Sequence, residues 1–170
     1  GGLGVGANHA GICFVEAMRR NGFDGEVVLL GALLGQPLER PQLSKPFLSA
    51  DGEDDGRFSL RKPDWFVDND IELVDGCRVT AVHPDTRQVE TASGERISYD
   101  RLVLAMGATP RRLPAADGMD GVFELRHPDD AARLRAAAAE ASSAIVIGGG
   151  YIGLEVAATL AKSGKDVTVI

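Results

Sequence analysis

The stretch that decides the fold covers residues 144–170, with the sequence AIVIGGGYIGLEVAATLAKSGKDVTVI. Its first four residues form an apolar run rich in β-branched side chains, which predicts a buried parallel strand. Residues 154–162 predict a helix that Gly164 is placed to end, and residues 166–170 predict a second strand. This order of elements is typical of a βαβ unit.

The glycines between the first strand and the helix form the pattern G-x-G-x-x-G at residues 148–153. Gly148 would make the tight turn, Gly150 would let a diphosphate approach the backbone, and Gly153 would let helix and strand pack closely. The anion would lie at the helix N-terminus, where unpaired N–H groups and the helix dipole favour negative charge. Such glycines also mark ordinary structural turns, but the complete strand–glycine–helix–strand context favours dinucleotide binding.

The start of the chain repeats this unit, with GANHAG at residues 6–11 in place of the glycine pattern. A helix over residues 12–20, a stop at Asn21 and Gly22, and a strand over residues 26–30 follow in the same order. We call residues 6–11 the first fingerprint and residues 148–153 the second. Two such units in one chain predict two dinucleotide sites, one in each of two domains.

The first fingerprint departs from the second in three ways. Asn8 stands where the middle glycine belongs, so a side chain projects toward the expected phosphate. Asn tolerates positive φ better than most residues, so we expect the turn to survive and the phosphate contact to suffer. The preceding strand, residues 1–5, is rich in glycine, which weakens strands. Gly31, Ala32 and Leu33 follow the second strand and include no acid to hold ribose hydroxyls. On these residues alone, binding and loss of binding are both open for this copy.

Composition restricts the class of protein. The 170 residues carry 18 Lys and Arg against 25 Asp and Glu, and the net charge of −7 argues against nucleic acid and membrane partners. Cys13 and Cys77 form no C-x-x-C pair, so we predict two small buried residues. No apolar run reaches the length of a membrane span and no signal peptide is recognisable, so we expect a cytoplasmic enzyme. The chain opens on Gly1 and stops on a strand, so we expect a piece of a longer protein.

The middle of the chain predicts an antiparallel insertion and then a change of domain. Segments at residues 78–83, 88–91 and 96–98 alternate with turn residues, which indicates a β-meander. Residues 101–105 predict a buried strand, and the residues after it are rich in Pro, Gly and charge, which indicates a domain crossover. Residues 36–50 predict either a polar surface loop or a loop that brings Arg40 and Lys45 toward a cofactor, and residues 51–56 predict a mobile acidic loop.

The three histidines lack partners at the spacing of metal ligands, so no metal site is predicted. His83 and His127 are interpreted as solvated or core residues. His9 lies inside the first fingerprint and borders a phosphate by position only. An alanine-rich helix is predicted over residues 131–140, with Asp129 or Asp130 near its start.

Taken together, these stretches resemble the FAD-dependent, NAD(P)H-linked reductases that deliver electrons to ferredoxins and rubredoxins. The segment ERPQLSK at residues 39–45 carries the most specific part of the resemblance, the pattern Arg-Pro-x-Leu-Ser-Lys. The two fingerprints and the segment YDRLVLAMGATPR at residues 99–111 extend it over nearly the whole chain. Relatives of the glutathione reductase kind carry a redox cysteine pair, which does not occur in this sequence.

The resemblance implies an α/β fold, with a Rossmann-like doubly wound FAD domain at residues 1–110 that contains the inserted antiparallel meander. Residues 111–170 would start a second Rossmann-like domain for NAD(P)H. The implied activity is a flavin-dependent transfer of electrons from NAD(P)H through FAD to a ferredoxin- or rubredoxin-type acceptor. Later segments of such reductases are absent, so these 170 residues would not complete a hydride-transfer site.

The resemblance also implies the functional residues. Lys45 and Glu155 would pair near the isoalloxazine as the catalytic residues, because such a pair tunes the charge around the flavin as electrons arrive. The first fingerprint would bind the FAD diphosphate and the second would bind NAD(P)H. The residues implied at the cofactors are Gly6, Asn8, His9, Ala10, Gly11, Arg40, Lys45, Val79, Ala105, Gly107, Arg111, Gly148, Gly150, Tyr151, Ile152, Gly153 and Glu155.

Two other hypotheses stay open. Such reductases normally have glycine at the position of Asn8, an acid near Ala32 or Leu33, and threonine at the position of Met106. These departures motivate a degenerate relative that binds nucleotide without catalysis. The other hypothesis is a flavin enzyme with a different acceptor, of the NADH oxidase or nitrite reductase kind, although those enzymes often carry a redox cysteine near Ser44.

Overall fold

The computed structural model describes residues 1–49 and 58–170, and the chain divides into two compact units. Unit 1 consists of Gly1–Glu39 and Gly56–Ala108, and unit 2 consists of Arg40–Asp55 and Thr109–Ile170. The acidic loop predicted at residues 51–56 lies outside the described residues. Within the described ranges, no helix has both the length and the apolar character that crossing a membrane requires.

The elements follow one another along the chain in the predicted alternation of strands and helices. They are β1 (Gly2–Val5), α1 (His9–Arg20), β2 (Val27–Leu30), a 3-10 helix (Arg40–Ser44), α2 (Pro46–Ser49), α3 (Pro63–Asp68), β3 (Ile71–Val74), β4 (Val79–His83), β5 (Gln88–Thr91), β6 (Arg96–Ser98), β7 (Arg101–Leu104), a second 3-10 helix (Pro114–Ala116), α4 (Pro128–Glu140), β8 (Ser143–Val146), α5 (Tyr151–Lys162) and β9 (Asp166–Val169).

Unit 1 is built on a parallel sheet with the strand order β3-β2-β1-β7. Successive residues of β2 point to opposite faces of this sheet, as strand geometry requires. Leu29 joins Ile12 and Val15 of α1 in a buried cluster on one face. Leu30 joins Leu3 in a second buried cluster on the other face. Because apolar side chains cover both faces, the carboxyl end of β1 and the start of α1 are held in fixed positions.

The meander packs against the second of these clusters. Strands β4, β5 and β6 form an antiparallel sheet in sequence order. Val89 in the middle strand is fully buried, and it contacts the cluster that contains Leu3, Val5 and Leu30. The predicted α/β fold with an inserted antiparallel meander is therefore confirmed.

Two strands that were predicted to be buried are only partly covered. β7 lies at the edge of its sheet, and Leu104 is 49% exposed. Among the described strands, β8 pairs only with β9. Helix α5 covers the face of β8 that carries Ala144 and Val146, and Ile145 on the other face is 70% exposed. An apolar run does not distinguish a strand buried on both faces from one buried on a single face. The prediction of buried cysteines was also wrong for Cys13, which is exposed on α1.

At the amino-terminal ends of strands β2 and β3 in unit 1, Arg19 hydrogen-bonds to the two turns that precede them. Its guanidinium donates to the carbonyl oxygens of Phe23 at 2.8 Å and Gly25 at 2.7 Å, which precede β2. It also donates to Asn69 O at 2.8 Å and to Asp70 O, which precede β3. The end of α1 and the starts of two strands are therefore fixed by one side chain.

Unit 2 contains the parallel pair β8 and β9, with α5 connecting them. Its buried cluster joins Leu48 of α2 to Val156 and Leu160 of α5. The prediction of a surface loop for residues 36–50 was wrong, because a 3-10 helix and α2 occupy most of it and Leu43, Ser44 and Leu48 are buried. The leucines of this segment supply the apolar face that packs against α5.

Helix α4 begins close to the predicted point. His127 is its N-cap, and the Asp130 carboxylate accepts hydrogen bonds from the backbone N–H groups of Arg126 at 3.0 Å and His127 at 2.8 Å. Burial alone would raise the pKa of Asp130, but these hydrogen bonds and the Arg133 guanidinium together lower it. The ionised carboxylate therefore stabilises the start of α4.

Candidate functional site

The second fingerprint forms an open turn at the start of α5. Gly148 has φ +106°, and its N–H donates to the Ile170 carbonyl at 2.7 Å. Gly150 is the N-cap with φ −75° and ψ 175°, and no side chain caps the helix. Within the described residues, no heavy atom comes within 4 Å of a Cβ built at Gly148 or Gly150. At Gly153 the same Cβ would lie 2.1 Å from Gly148 O, so a side chain is excluded there.

This geometry fits a diphosphate at the second fingerprint. The backbone N–H groups of the first helical turn have no side-chain acceptor, and such groups are the anion-binding part of a helix N-terminus. The open space over Gly150 would let phosphate oxygens reach them. Tyr151 and Ile152, which begin the helix, are 91% and 58% exposed.

The first fingerprint has the same backbone path but a different cap. Gly6 has φ +116°, whereas Asn8 is extended with φ −143° and ψ −172°. The positive φ of this turn therefore belongs to Gly6, and the turn survives with Asn8 in extended backbone. The Oδ1 atom of Asn8 accepts hydrogen bonds from Ala10 N at 3.0 Å and Gly11 N at 3.2 Å. Its Nδ2 donates to the Ala105 carbonyl.

Asn8 thus already satisfies two of the N–H groups that a phosphate would use. Asparagine is among the best N-cap residues for this reason. A diphosphate fits the first fingerprint only if the Asn8 side chain moves aside or the anion uses other donors. His9 and Ala10 at the helix start are exposed, and Gly11 is buried, where a Cβ would lie 2.0 Å from Gly6 O.

Unit 2 brings together Lys45 and Glu155. The Nζ atom of Lys45 lies 3.2 Å from Glu155 Oε1, with side chains 49% and 33% exposed. The second carboxylate oxygen, Oε2, accepts a hydrogen bond of 2.5 Å from Ser44 Oγ. Glu155 lies in the second turn of α5 after the fingerprint, so the charged pair lies close to the open helix end.

The Glu155 carboxylate is held in its ionised form. Its pKa is lowered first by the hydrogen bond from Ser44 and then by Lys45, against a smaller opposing effect of burial. Ser44 itself is only 3% exposed, and the sequence interpretation did not single it out as a functional residue. A serine in a polar segment does not itself indicate burial. The only signal in the sequence is the pair of leucines around it, Leu43 and Leu48, which are buried.

A second pair of side chains in unit 2 joins a predicted residue to one that was not predicted. Burial and the charge of Arg126 lower the pKa of Arg40. Arg40 was implied by the resemblance, but Arg126 was not. Two guanidinium groups close enough to influence each other would be stabilised by an anion, since like charges repel. The pair is therefore a candidate contact for a phosphate or carboxylate group.

The remaining residues implied at the cofactors have ordinary surroundings. Val79 in β4 packs against the cluster that contains Val89. Ala105 accepts the hydrogen bond from Asn8 and also closes over Gly6, since a Cβ at Gly6 would lie 2.0 Å from Ala105 O. Gly107 has φ +73°, and Arg111 is exposed. The roles of these residues stay predictions.

Known proteins similar to this chain point to a single family. The family model described as pyridine nucleotide-disulphide oxidoreductase matches residues 5–170. The ferredoxin–NAD(+) reductase component of a 3-phenylpropionate/cinnamic acid dioxygenase from Photorhabdus laumondii is 38% identical over 98% of this chain and 42% of that protein. Putidaredoxin reductase from Pseudomonas putida is 39% identical over 98% of this chain and 40% of that protein.

Solved structures give the same result. The reductase in a covalent putidaredoxin reductase–putidaredoxin complex matches with a TM-score of 0.90 and 38% identity, over 99% of this chain and 41% of that one. The NADH:rubredoxin oxidoreductase of Clostridium acetobutylicum matches with a TM-score of 0.82 and 28% identity, over 99% of this chain and 43% of that one. The chain therefore spans less than half the length of the relatives it matches.

Proposed function

The chain belongs to the pyridine nucleotide-disulphide oxidoreductase family, and on that premise we propose that its protein is a flavin-dependent ferredoxin or rubredoxin reductase. It would pass electrons from NAD(P)H through FAD to a ferredoxin- or rubredoxin-type acceptor. Its relatives support this proposal, since they include a ferredoxin–NAD(+) reductase, a putidaredoxin reductase and a rubredoxin–NAD(+) reductase. A location in the cytoplasm belongs to the same proposal.

The observation that carries the proposal is the ion pair between Lys45 and Glu155. It joins the Arg-Pro-x-Leu-Ser-Lys segment to the helix that follows the second fingerprint. A carboxylate kept ionised and a partly exposed ammonium group, one helical turn from an open diphosphate site, form a suitable environment for a charged redox cofactor. The pair needs neither cysteine, so it agrees with chemistry that does not use a redox disulfide.

The assignment of one cofactor to each fingerprint follows from the resemblance, and the open helix end at the second fingerprint supports its share. The second fingerprint would hold the diphosphate of NAD(P)H through the N–H groups at the start of α5. The first would hold that of FAD, provided that Asn8 releases Ala10 and Gly11. When bound, NAD(P)H supplies a hydride and the flavin divides its electron pair into single electrons. The domains at residues 1–110 and 111–170 are proposed for FAD and NAD(P)H, respectively.

The test uses the complete protein, reconstituted with FAD and mixed anaerobically with NADH or NADPH. We expect loss of the oxidised flavin absorbance, followed by its return when a ferredoxin or rubredoxin is added. Oxygen consumption without either carrier protein would instead favour an NADH oxidase. If the bound flavin is not reduced by either nucleotide, the proposed function is wrong.

Substitution of the ion pair tests the carrying observation. Lys45→Met and Glu155→Gln keep side-chain length and remove one charge, and each is expected to slow flavin reduction by roughly tenfold. Lys162→Met, in the last turn of the same helix, removes a lysine outside the ion pair and should leave the rate unchanged. Equal rates for all three variants and the unsubstituted protein would remove the ion pair from the proposal.

A second candidate function is a nucleotide-binding relative without flavin chemistry. The hydrogen bonds from Ala10 and Gly11 to Asn8 favour it, because they occupy the helix end that FAD would need. Tight retention of FAD in a one-to-one ratio by the purified protein would exclude this candidate. Failure to retain FAD, together with binding of NAD(P)H, would support it.

A further inference from the structure

Ser44 is the buried polar residue at the centre of the contacts between the 3-10 helix and α5. Its hydroxyl hydrogen has two acceptors within reach, Glu155 Oε2 at 2.5 Å and Pro41 O at 3.4 Å. The shorter bond goes to a carboxylate, and hydrogen bonds to charged acceptors are the stronger class. The Ser44 hydroxyl therefore donates its one hydrogen bond to the Glu155 carboxylate.

The backbone of Ser44 is held to the same helix. Thr159, one turn after Glu155 on α5, has its hydroxyl 3.2 Å from Ser44 O and 2.9 Å from Glu155 O. Leu43 and Leu48 on either side of Ser44 are buried. Both the position and the direction of the Ser44 hydroxyl are therefore fixed by packing, and the side chain cannot turn to solvent without opening this cluster.

The two oxygens of Glu155 are divided between two donors. Ser44 occupies Oε2 from the buried side, and Lys45 occupies Oε1 from the more exposed side. Without Ser44 the carboxylate would keep only the Lys45 contact, and it would be free to rotate about its terminal torsion, which is broad. Neighbouring residues of one segment therefore have different tasks, since Lys45 supplies charge and Ser44 supplies orientation.

We propose that Ser44 is a positioning residue for the reaction, because it fixes the orientation of the Glu155 carboxylate and thereby the geometry of the Lys45–Glu155 pair. The inference rests on the proposed function, in which that pair acts near the cofactors. If ionised Glu155 is needed, flavin reduction slows as the pH falls through the pKa of Glu155. Loss of the Ser44 hydroxyl raises that pKa and moves the acidic limb of the pH profile to higher pH.

The experiment compares three variants of the complete protein. Ser44→Ala removes the hydroxyl, and Ser44→Thr restores it at the cost of one methyl group. Ser163→Ala removes a serine hydroxyl at the C-cap of the same helix, where it donates to Leu160 O at 2.7 Å, so it is the matched structural control. Two quantities are measured, the pKa of Glu155 by carbon-detected NMR without cofactors, and the rate of flavin reduction by NAD(P)H against pH.

We expect Ser44→Ala to raise the pKa of Glu155 and to slow flavin reduction by up to roughly tenfold on the acidic limb, with little change above it. Ser44→Thr should restore both quantities in part, and Ser163→Ala should move neither pH midpoint. A raised pKa with an unshifted rate profile would overturn the inference, and so would equal shifts in Ser44→Ala and Ser163→Ala. If the unsubstituted protein shows no flavin reduction at any pH, the proposed function fails and this inference with it, whatever the titration gives.

Discussion

The two fingerprints share one backbone path, yet one is closed by its own side chain and the other is open. In both, a glycine with positive φ leaves the strand, and a second glycine packs against the carbonyl of the first. They differ at the N-cap. The Asn8 side chain accepts two backbone hydrogen bonds, whereas Gly150 has no side chain that could accept one. The comparison shows that the turn and the anion site are separable, since the turn survives a substitution that fills the site.

The largest expected effect concerns the first glycine of each turn. Both Gly6 and Gly148 have positive φ, but a Cβ at Gly6 meets Ala105 O at 2.0 Å, whereas one at Gly148 meets nothing described within 4 Å. Gly6→Ala should therefore lower the free energy of unfolding by about 3 kcal/mol or more, from strain plus a clash with the backbone. Gly148→Ala should lower it by about 1–2 kcal/mol, from strain alone.

Denaturant unfolding of both variants checks this difference. If Gly6→Ala yields no folded protein, the folded Gly148→Ala variant still provides the comparison. Equal losses in the two variants would mean that the turns are equivalent and that the close approach of Ala105 has no energetic consequence.

The next effect comes from copying the cap into the second fingerprint. Gly150 has extended backbone angles and free space, so Gly150→Asn can adopt the conformation of Asn8 without strain. The new side chain should accept from the N–H groups of Ile152 and Gly153 and compete with the diphosphate. We expect NAD(P)H to bind about tenfold more weakly, measured by calorimetry, with the affinity for FAD unchanged as the internal control. Unchanged NAD(P)H binding would contradict the assignment of this helix end.

The reverse substitution should give a smaller effect of opposite sign. Asn8→Ala removes the cap in the protein without cofactor, which should cost about 1 kcal/mol of stability. Because bound FAD would replace that cap, its affinity should rise about fivefold. Asn8→Asp keeps an acceptor and adds a negative charge, so it should weaken FAD binding instead. A lower FAD affinity in Asn8→Ala would mean that Asn8 supports the flavin site rather than competing with it.

The smallest effect is a difference in pH dependence between the two regions. The pKa of Glu155 is lowered by Ser44 and Lys45, so its contribution to stability is complete above its ordinary pKa and is lost as the pH falls through the lowered value. The cap at Asn8 is neutral and has no such dependence. On acidification, the exchange rate of the Lys45 backbone amide, corrected for its intrinsic rate, should therefore rise. The corrected exchange rate of the Gly11 backbone amide should stay constant. The Glu155→Gln variant should remove this dependence on pH.

The sequence predicted the elements well where local spacing determines them. The glycine spacings and the stops at Gly22 and Gly164 place two strand–helix–strand units, because these positions require a glycine or a helix end whatever surrounds them. The pairing of Lys45 with Glu155 came only from the resemblance, since nothing local connects a loop lysine to a distant helix.

What could not be predicted depends on tertiary packing. Ser44 lies in a polar segment, and its burial follows from the packing of neighbouring leucines against α5. The Asn8 side chain bonds to the carbonyl of Ala105, which directly follows β7 and is far from Asn8 along the chain. Ile145 was predicted to be buried because it lies in an apolar run, but it is exposed. An apolar run does not show how many faces of a strand are covered.

The guanidinium of Arg19 has a consequence for how the first unit can vary. Its carbonyl partners lie on the two turns that precede β2 and β3. These turns are at the amino-terminal ends of the strands, whereas the first fingerprint follows the carboxyl-terminal end of β1. Lengthening either turn by a residue would draw a carbonyl out of reach of a rigid fork, and a lysine could not span the same partners. The lengths of these two turns are therefore constrained by a single side chain.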